Sequence, residues 1–182
     1  VMSATPIPRT LALILYGDLD ISILDELPPG RQKVDTFHIN TEKRNRLYGF
    51  LKKQIDSGYQ GYIVCPLVEE NDTNLISATG YAEGLQKTYF QDYRIGLIHG
   101  KMKPREKEEM MNQFKCGEID ILVSTTVIEV GVDVPNANFI VIENAERFGL
   151  SQLHQLRGRV GRGKNKSYCI IVSDAQNEEA IK

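Results

Sequence analysis

IDILVSTTVIEVGVDVPNANFIVIEN, residues 119–144, contains two short apolar runs, 119–123 and 139–142, and each run is followed directly by small or polar residues. Short apolar runs of this kind predict strands that are buried on both faces. Similar runs occur at 62–64, 95–98 and 168–172, and residues 34–39 alternate like a half-exposed strand. Most of the segments between these runs have helical patterns. The alternation predicts an α/β domain with a mainly parallel sheet covered by helices on both faces.

The sequence also predicts where several helices begin and end. Thr41 is expected to cap a helix that stops before Gly58. Proline is typical of a first helical turn, so Pro104 is expected to begin a helix. Glycine is typical of the position just beyond a helix end, so Gly117 is expected to follow the end of that helix. A shorter apolar pattern at 150–156 predicts one or two helical turns.

Composition limits the class of protein. With 182 residues, 41% hydrophobic and 25% charged, the chain fits one globular domain. Its formal net charge of −2 means that any contact with nucleic acid must come from a local patch. The three cysteines, Cys65, Cys116 and Cys169, form no C-x-x-C pair, which argues against a zinc site or a disulfide framework. We expect them to be small residues in or near the core. No segment approaches the roughly 18 apolar residues of a membrane helix, so we expect a soluble, cytoplasmic protein without membrane contacts.

The run QLRGRVGRG, residues 155–163, places two arginines close to the end of the predicted short helix. Arg159 and Arg162 are three residues apart, which would put them on one helical face, and the neighbouring glycines leave room for a bulky anion. The guanidinium group is a planar, permanently charged fork that matches phosphate oxygens. The run therefore predicts a polyphosphate site, with an exposed basic turn as the alternative.

Three segments resemble motifs of the superfamily 2 helicases, in the order in which that family carries them. The pattern Q-x-x-G-R-x-x-R resembles motif VI, and the longer run ERFGLSQLHQLRGRVGRG, residues 146–163, is similar to the RecG type in particular. Residues 121–137 resemble motif V, and SATPIPRT, residues 3–10, resembles motif III. The resemblance implies that residues 1–182 are the second, RecA-like motor domain of a longer ATP-dependent DNA helicase. Residues 1–40 would include motif III and the crossing between the motor domains.

The resemblance also implies roles for individual residues near the nucleotide. Arg159 and Arg162 would be arginine fingers that complete the catalytic site, and Gly131, Asp133 and Gln155 would lie at the nucleotide. Ser3 and Thr5 would couple the nucleotide state to domain closure. A turn or capping role is the alternative for Ser3 and Thr5, and a solvent-facing cap is the alternative for Asp133.

Polar or small residues follow the predicted strands, at the sheet edge where α/β proteins bind ligands. Hydroxyl and backbone N–H groups there can bind phosphates without reading bases. By resemblance, the residues that contact the DNA backbone are Pro66, His99, Gly100, Thr125 and Thr126. For His99 alone, a satisfied histidine near the surface is the alternative.

The sequence lacks the phosphate loop G-x-x-x-x-G-K-[ST] and an acidic D-E-x-H motif for Mg²⁺. ATP and Mg²⁺ would therefore be bound mainly by the first RecA-like domain of the same protein, and we expect no metal site in this chain. The resemblance implies branched DNA as the other partner. We expect the isolated chain to be inactive. Two further interpretations remain open: an Mfd-type transcription-repair coupling translocase, and a non-catalytic nucleic-acid scaffold that has kept only the fold.

Overall fold

The computed structural model describes residues 33–66, 72–125, 134–161, 163 and 165–174. In chain order, the strands are β1 Val34–Ile39, β2 Gln60–Val64, β3 Ile95–Ile98, β4 Ile121–Ser124, β5 Ala137–Ile142 and β6 Ser167–Val172. The helices are α1 Arg44–Asp56, α2 Asp72–Thr88, α3 Pro104–Lys115 and α4 Leu150–Arg157, with 3-10 turns at Thr41–Lys43 and Ala145–Arg147.

All six strands belong to one sheet in the order β1-β6-β5-β2-β4-β3, and every pairing is parallel. The central strand β5 is buried along its whole length because it has strands on both sides and helices above and below. Parallel strands require a crossover between them, and the helices supply it. The predicted α/β fold class is confirmed.

The sheet separates two apolar cores. One core lies under α3 and α4 and contains Phe114 and Leu156, both fully buried. The other lies under α1 and α2 and contains Leu51 and Leu85. Helices therefore cover both faces of the sheet, as the alternating sequence pattern predicted.

The helix ends at Gly58 and Gly117 are confirmed. Both residues have a left-handed backbone, with φ values of 88° and 79°, just after the last residues of α1 and α3. This conformation is common after a helix end and favours glycine because a Cβ atom would be strained there.

The prediction that Thr41 caps a helix is wrong. Its backbone N–H and its hydroxyl group both donate to the carboxylate of Asp174, at 2.8 and 2.7 Å. Thr41 begins a 3-10 turn, and α1 starts only at Arg44. The Thr41 hydroxyl that was expected to cap the helix is therefore bound to the carboxylate of Asp174, which follows β6. The two N–H and O–H donors lower the pKa of Asp174.

The predicted location of the cysteines is correct for two of three. Cys169 is buried and Cys65 is half-buried, but Cys116, the first residue beyond α3, is exposed. Burial raises the pKa of the Cys65 thiol to about 12, with a smaller contribution from the nearby Glu143 carboxylate.

Candidate nucleic-acid and nucleotide site

The carboxyl ends of the six strands form one edge of the sheet, because all the strands run in the same direction. Residue pairs Val64–Ser124 and Ile98–Ser124 are in register, so the residues just after β2, β4 and β3 are neighbours. Adjacent strands are about 4.8 Å apart. The residues that follow the strands are, in order across the edge, Asn40, Ser173, Glu143, Cys65, Thr125 and His99.

Thr125 and His99 lie side by side at this edge. The backbone N–H of Thr125 donates to the carbonyl of Ile98, the residue before His99, at 3.2 Å. The Thr125 hydroxyl oxygen and the His99 Nδ1 atom are both buried, and neither has a hydrogen-bond partner among the residues that the structure describes. Buried polar atoms are normally hydrogen-bonded, so an adjacent pair without partners suits a site where a ligand supplies the missing contacts.

The electrostatic surroundings of His99 favour a neutral imidazole. Burial lowers its pKa below the usual 6.5, and the ammonium groups of Lys107 and Lys101 lower it further, while Glu106 has the opposite effect. A neutral imidazole offers one N–H donor and one acceptor. Such a ring can donate to a phosphate oxygen without carrying a charge of its own.

Pro66 and Gly100 lie at the same edge with different surroundings. Pro66 is half-buried directly after β2, and Gly100 is exposed. The Gly100 carbonyl accepts a hydrogen bond from the Lys107 ammonium at 3.1 Å. The N-terminus of α3 is already satisfied in part, because Glu106 accepts the backbone N–H of Lys103 at 2.8 Å. The phosphate contacts predicted here therefore depend on the strand ends more than on the start of α3.

Arg159 lies outside the helix that the sequence placed it on. Helix α4 ends at Arg157, the half-buried Arg159 follows the Gly158 cap, and Gly161 takes a left-handed backbone with φ of 78°. The expectation that Arg159 and Arg162 share a helical face is therefore wrong, because the helix has ended before Arg159. Gln155 and Arg157 are both exposed on α4.

The loop after α4 approaches the end of motif V. Gly163 lies so close to Pro135 that a Cβ atom built on Gly163 would be 2.8 Å from the Pro135 carbonyl oxygen. Pro135 belongs to the connection between β4 and β5, which in sequence also contains Gly131 and Asp133. The segments that resemble motifs V and VI are thus in contact through Gly163 and Pro135.

Six of the predicted site residues lie outside the described residues: Ser3, Thr5, Thr126, Gly131, Asp133 and Arg162. Their roles stay predictions, and so do the roles of the site residues whose positions are given above. Among the residues that the structure describes, no three His, Cys, Asp or Glu side chains form a group that could hold a metal ion. The same part of the chain contains no helix that is both long and apolar enough to cross a membrane.

Sequence reasoning missed an ion pair at the same edge. The Glu143 carboxylate, almost fully buried, accepts hydrogen bonds from Arg44 Nη2 at 2.6 Å and from the Tyr81 hydroxyl at 2.8 Å. One signal was available: Arg44 falls in the first turn of the helix predicted after Thr41, where the helix dipole disfavours a cation unless a carboxylate is near.

The chain resembles known helicases over nearly its whole length. Residues 42–164 match the family described as helicase conserved C-terminal domain. The chain is 53% identical over 182 residues to the ATP-dependent DNA helicase RecG of Thermotoga maritima, covering all of this chain and 23% of that protein. It is 47% identical over 178 residues to the RecG of Bacillus subtilis, covering 97% of this chain and 26% of that protein. The chain spans about a quarter of the length of these relatives.

Solved structures agree with this result. A structure of RecG bound to a three-way DNA junction matches with a TM-score of 0.83 and 50% identity, covering 99% of this chain and 23% of that chain. The Mycobacterium smegmatis helicase Lhr shares the fold with a TM-score of 0.65 at 16% identity, over 96% of this chain and 24% of that chain. The chain therefore belongs to the family of helicase conserved C-terminal domains, with a RecA-like fold, and within that family it is of the RecG type.

Proposed function

We propose that this chain is the second motor domain of an ATP-dependent DNA helicase that acts on branched DNA, such as replication forks and Holliday junctions, in recombination and repair. The observation that carries the proposal is the pair of buried, unpartnered polar atoms on His99 and Thr125, at neighbouring strand ends and within the described part of the chain. The RecG relatives are named ATP-dependent DNA helicases, and one RecG structure holds a three-way DNA junction.

In this proposal the carboxyl edge of the sheet tracks the DNA backbone. His99 and Thr125 donate to phosphate oxygens, and Pro66, Gly100 and Thr126 line the same path. The chain has no excess of basic residues, so its DNA contacts come from this edge and not from a general positive field. Contacts of this kind position the protein without reading bases.

The loop after α4 supplies the other half of the function. Arg159 and Arg162 stabilise the negative charge that builds up on the transferred phosphoryl group. Gly131, Asp133 and Gln155 lie on the nucleotide side. The Gly163–Pro135 contact supports this role, because Pro135 follows Asp133 by two residues in the sequence.

We further propose the domain context. Residues 1–182 form the second motor domain of a longer protein, in which residues 1–40 contain the crossing between motor domains, with Ser3 and Thr5 coupling nucleotide state to closure. The first RecA-like domain of the same protein binds ATP and Mg²⁺, and the whole protein works in the cytoplasm. The cysteines, none of which forms a C-x-x-C pair, are compatible with a reducing compartment.

Steady-state ATPase assays on the full-length protein test the arginine assignment. We expect Arg159→Ala and Arg162→Ala to lower the DNA-stimulated kcat by at least ~100-fold, since finger arginines contribute ~10³–10⁵ in other nucleotide hydrolases. Nucleotide affinity, followed separately with a fluorescent analogue, should fall much less because the contact is made chiefly in the transition state. Arg162→Lys should fail almost as badly, because an ammonium group cannot make a two-pronged contact.

The matched control is Arg157→Ala, which removes an exposed arginine from the end of α4. It should keep near-normal turnover. If Arg157→Ala were as damaging as the other variants, or if Arg159→Ala turned over ATP normally, the arginine assignment would be wrong. The isolated 182-residue chain should show no ATPase activity above background.

A further inference from the structure

A charged network around the buried Glu143 carboxylate joins three elements at the carboxyl edge. Glu143, which follows β5, is 3% exposed and accepts from Arg44 at the start of α1 and from Tyr81 in α2. Tyr81 is also hydrogen-bonded to Tyr48 on α1. Burial raises the pKa of Tyr81, and the adjacent Glu143 carboxylate raises it further, so the phenol stays protonated and can donate.

Stability alone is a weak explanation for such a network. Replacing a buried ion pair with apolar residues of similar volume is often neutral or stabilising, whereas removing one partner leaves an uncompensated charge. The same two elements, α1 and β5, are also joined near the opposite edge of the sheet by a neutral pair, Asn138 Nδ2 to Gln54 Oε1 at 2.7 Å. The charged pair Arg44–Glu143 therefore lies at the edge that carries the candidate site, although a neutral pair would have been sufficient for packing.

Glu143 has a direct path to the DNA side of the site. Its backbone N–H donates to the carbonyl of Val64 at 2.9 Å, on the strand that leads to Pro66. Tyr81 lies in α2, the next helix after Pro66 among the described residues. Any displacement of α2 must therefore move the Glu143 carboxylate or break its hydrogen bond with the Tyr81 hydroxyl.

Glu143 also has a path to the arginine side. The next residue, Asn144, takes a left-handed backbone with φ of 48° and turns the chain into the 3-10 turn Ala145–Arg147. Helix α4 follows and ends two residues before Arg159. Glu143 is thus held by α2 on one side and lies at the start of the segment that leads to Arg159 on the other.

We propose that Glu143 is a positioning residue that transmits DNA binding at the carboxyl edge to the loop carrying Arg159. The inference rests on the proposed function. DNA bound at the ends of β2 and β4 fixes the position of α2. The Tyr81–Glu143 hydrogen bond then transmits the position of α2 to the turn at Asn144. Arg44 binds one carboxylate oxygen and thereby orients the other oxygen toward the Tyr81 hydroxyl.

The test is the ratio of DNA-stimulated to basal ATPase activity in the full-length protein, at saturating ATP and saturating branched DNA. We expect Glu143→Gln and Tyr81→Phe to lower this ratio about tenfold, within the range of typical coupling between sites. Tyr81→Phe removes a single hydroxyl group and leaves the ion pair intact, so it tests the path even if Glu143→Gln folds poorly. Saturating DNA ensures that a lower ratio does not come from weaker DNA binding.

The control is Gln54→Ala, which breaks the neutral pair between the same two elements at the opposite edge. It should lower the melting temperature and keep the wild-type ratio. The inference is overturned if Glu143→Gln and Tyr81→Phe keep the wild-type ratio, or if Gln54→Ala loses it equally. If DNA did not stimulate the ATPase activity of the wild-type protein, the proposed function would be overturned as well. If DNA stimulates the wild type but the variants keep the same ratio, only the inference about Glu143 fails.

Discussion

Gly163 and Pro135 are in such close contact that no side chain fits between them: a Cβ atom at Gly163 would lie 2.8 Å from the Pro135 carbonyl oxygen. The obstacle is backbone, which cannot rotate away as a flexible side chain can. Glycine at position 163 therefore lets the loop after α4 lie against the connection between β4 and β5. This contact links the segment of the candidate arginine fingers to the segment of motif V.

Gly163→Ala should destabilise the chain by about 1–3 kcal/mol, the usual range for overpacking. It should also lower the DNA-stimulated kcat of the full-length protein, because the loop carrying Arg159 is displaced. The control is Gly84→Ala, at an exposed helical position where a Cβ atom would have nothing within 4 Å. Denaturant unfolding and ATPase assays measure both effects. Equal behaviour of the two variants would contradict the importance of the contact.

The proposed phosphate contacts of His99 and Thr125 predict a loss of DNA affinity that does not depend on the DNA sequence. His99→Ala and Thr125→Ala in the full-length protein should each weaken binding about 2- to 10-fold, the equivalent of one hydrogen bond. The loss should be the same for two unrelated duplexes at one salt concentration, because the contacts reach the backbone and not base edges. His154→Ala, at an exposed position on α4, serves as the control. A loss that differs strongly between the duplexes would contradict backbone tracking.

The lowered pKa of His99 predicts a pH dependence of stability. The unfolded chain binds the proton more readily than the folded chain, so the stability due to a neutral His99 is complete above about pH 6.5. It is lost as pH falls from there through the lower pKa of the folded state. When the pH is lowered from about 7.5 to about 5.5, the melting temperature of the wild type should therefore fall further than that of His99→Gln. Identical losses would show that burial and the lysines do not act on this imidazole.

The Phe139 ring lies directly over Gly61, its partner in the register of β2 and β5. A Cβ at Gly61 would overlap the ring, and Phe139 is fully buried and cannot move aside. We expect Gly61→Ala to destabilise the chain by about 1–3 kcal/mol. Gly49→Ala, at an exposed helical position with nothing within 4 Å, should stabilise it by up to about 1 kcal/mol. Urea unfolding of both variants distinguishes packing from backbone propensity, and a neutral Gly61→Ala would refute the packing argument.

The strands, the parallel sheet and the helix ends at Gly58 and Gly117 could all be predicted from the sequence. These features follow from local physics, since apolar periodicity reflects burial on one or two faces and a left-handed backbone favours glycine. Because parallel strands end at a common edge, the sequence also predicted that Pro66, His99 and Thr125 would lie along one side of the sheet. It could not show that His99 Nδ1 and the Thr125 hydroxyl are buried without partners among the described residues.

The polar groups that pair across the fold could not be predicted from the sequence, because their partners come from distant elements. Thr41 was predicted to cap a helix, but its partner is Asp174, 133 residues away. Glu143 binds Arg44 and Tyr81, which are 99 and 62 residues away. The three-residue spacing of Arg159 and Arg162 suggested a shared helical face, yet α4 had ended at Arg157. Sequence spacing fixes relative position only within one regular element, whereas the partner of a buried polar group depends on which elements pack against it.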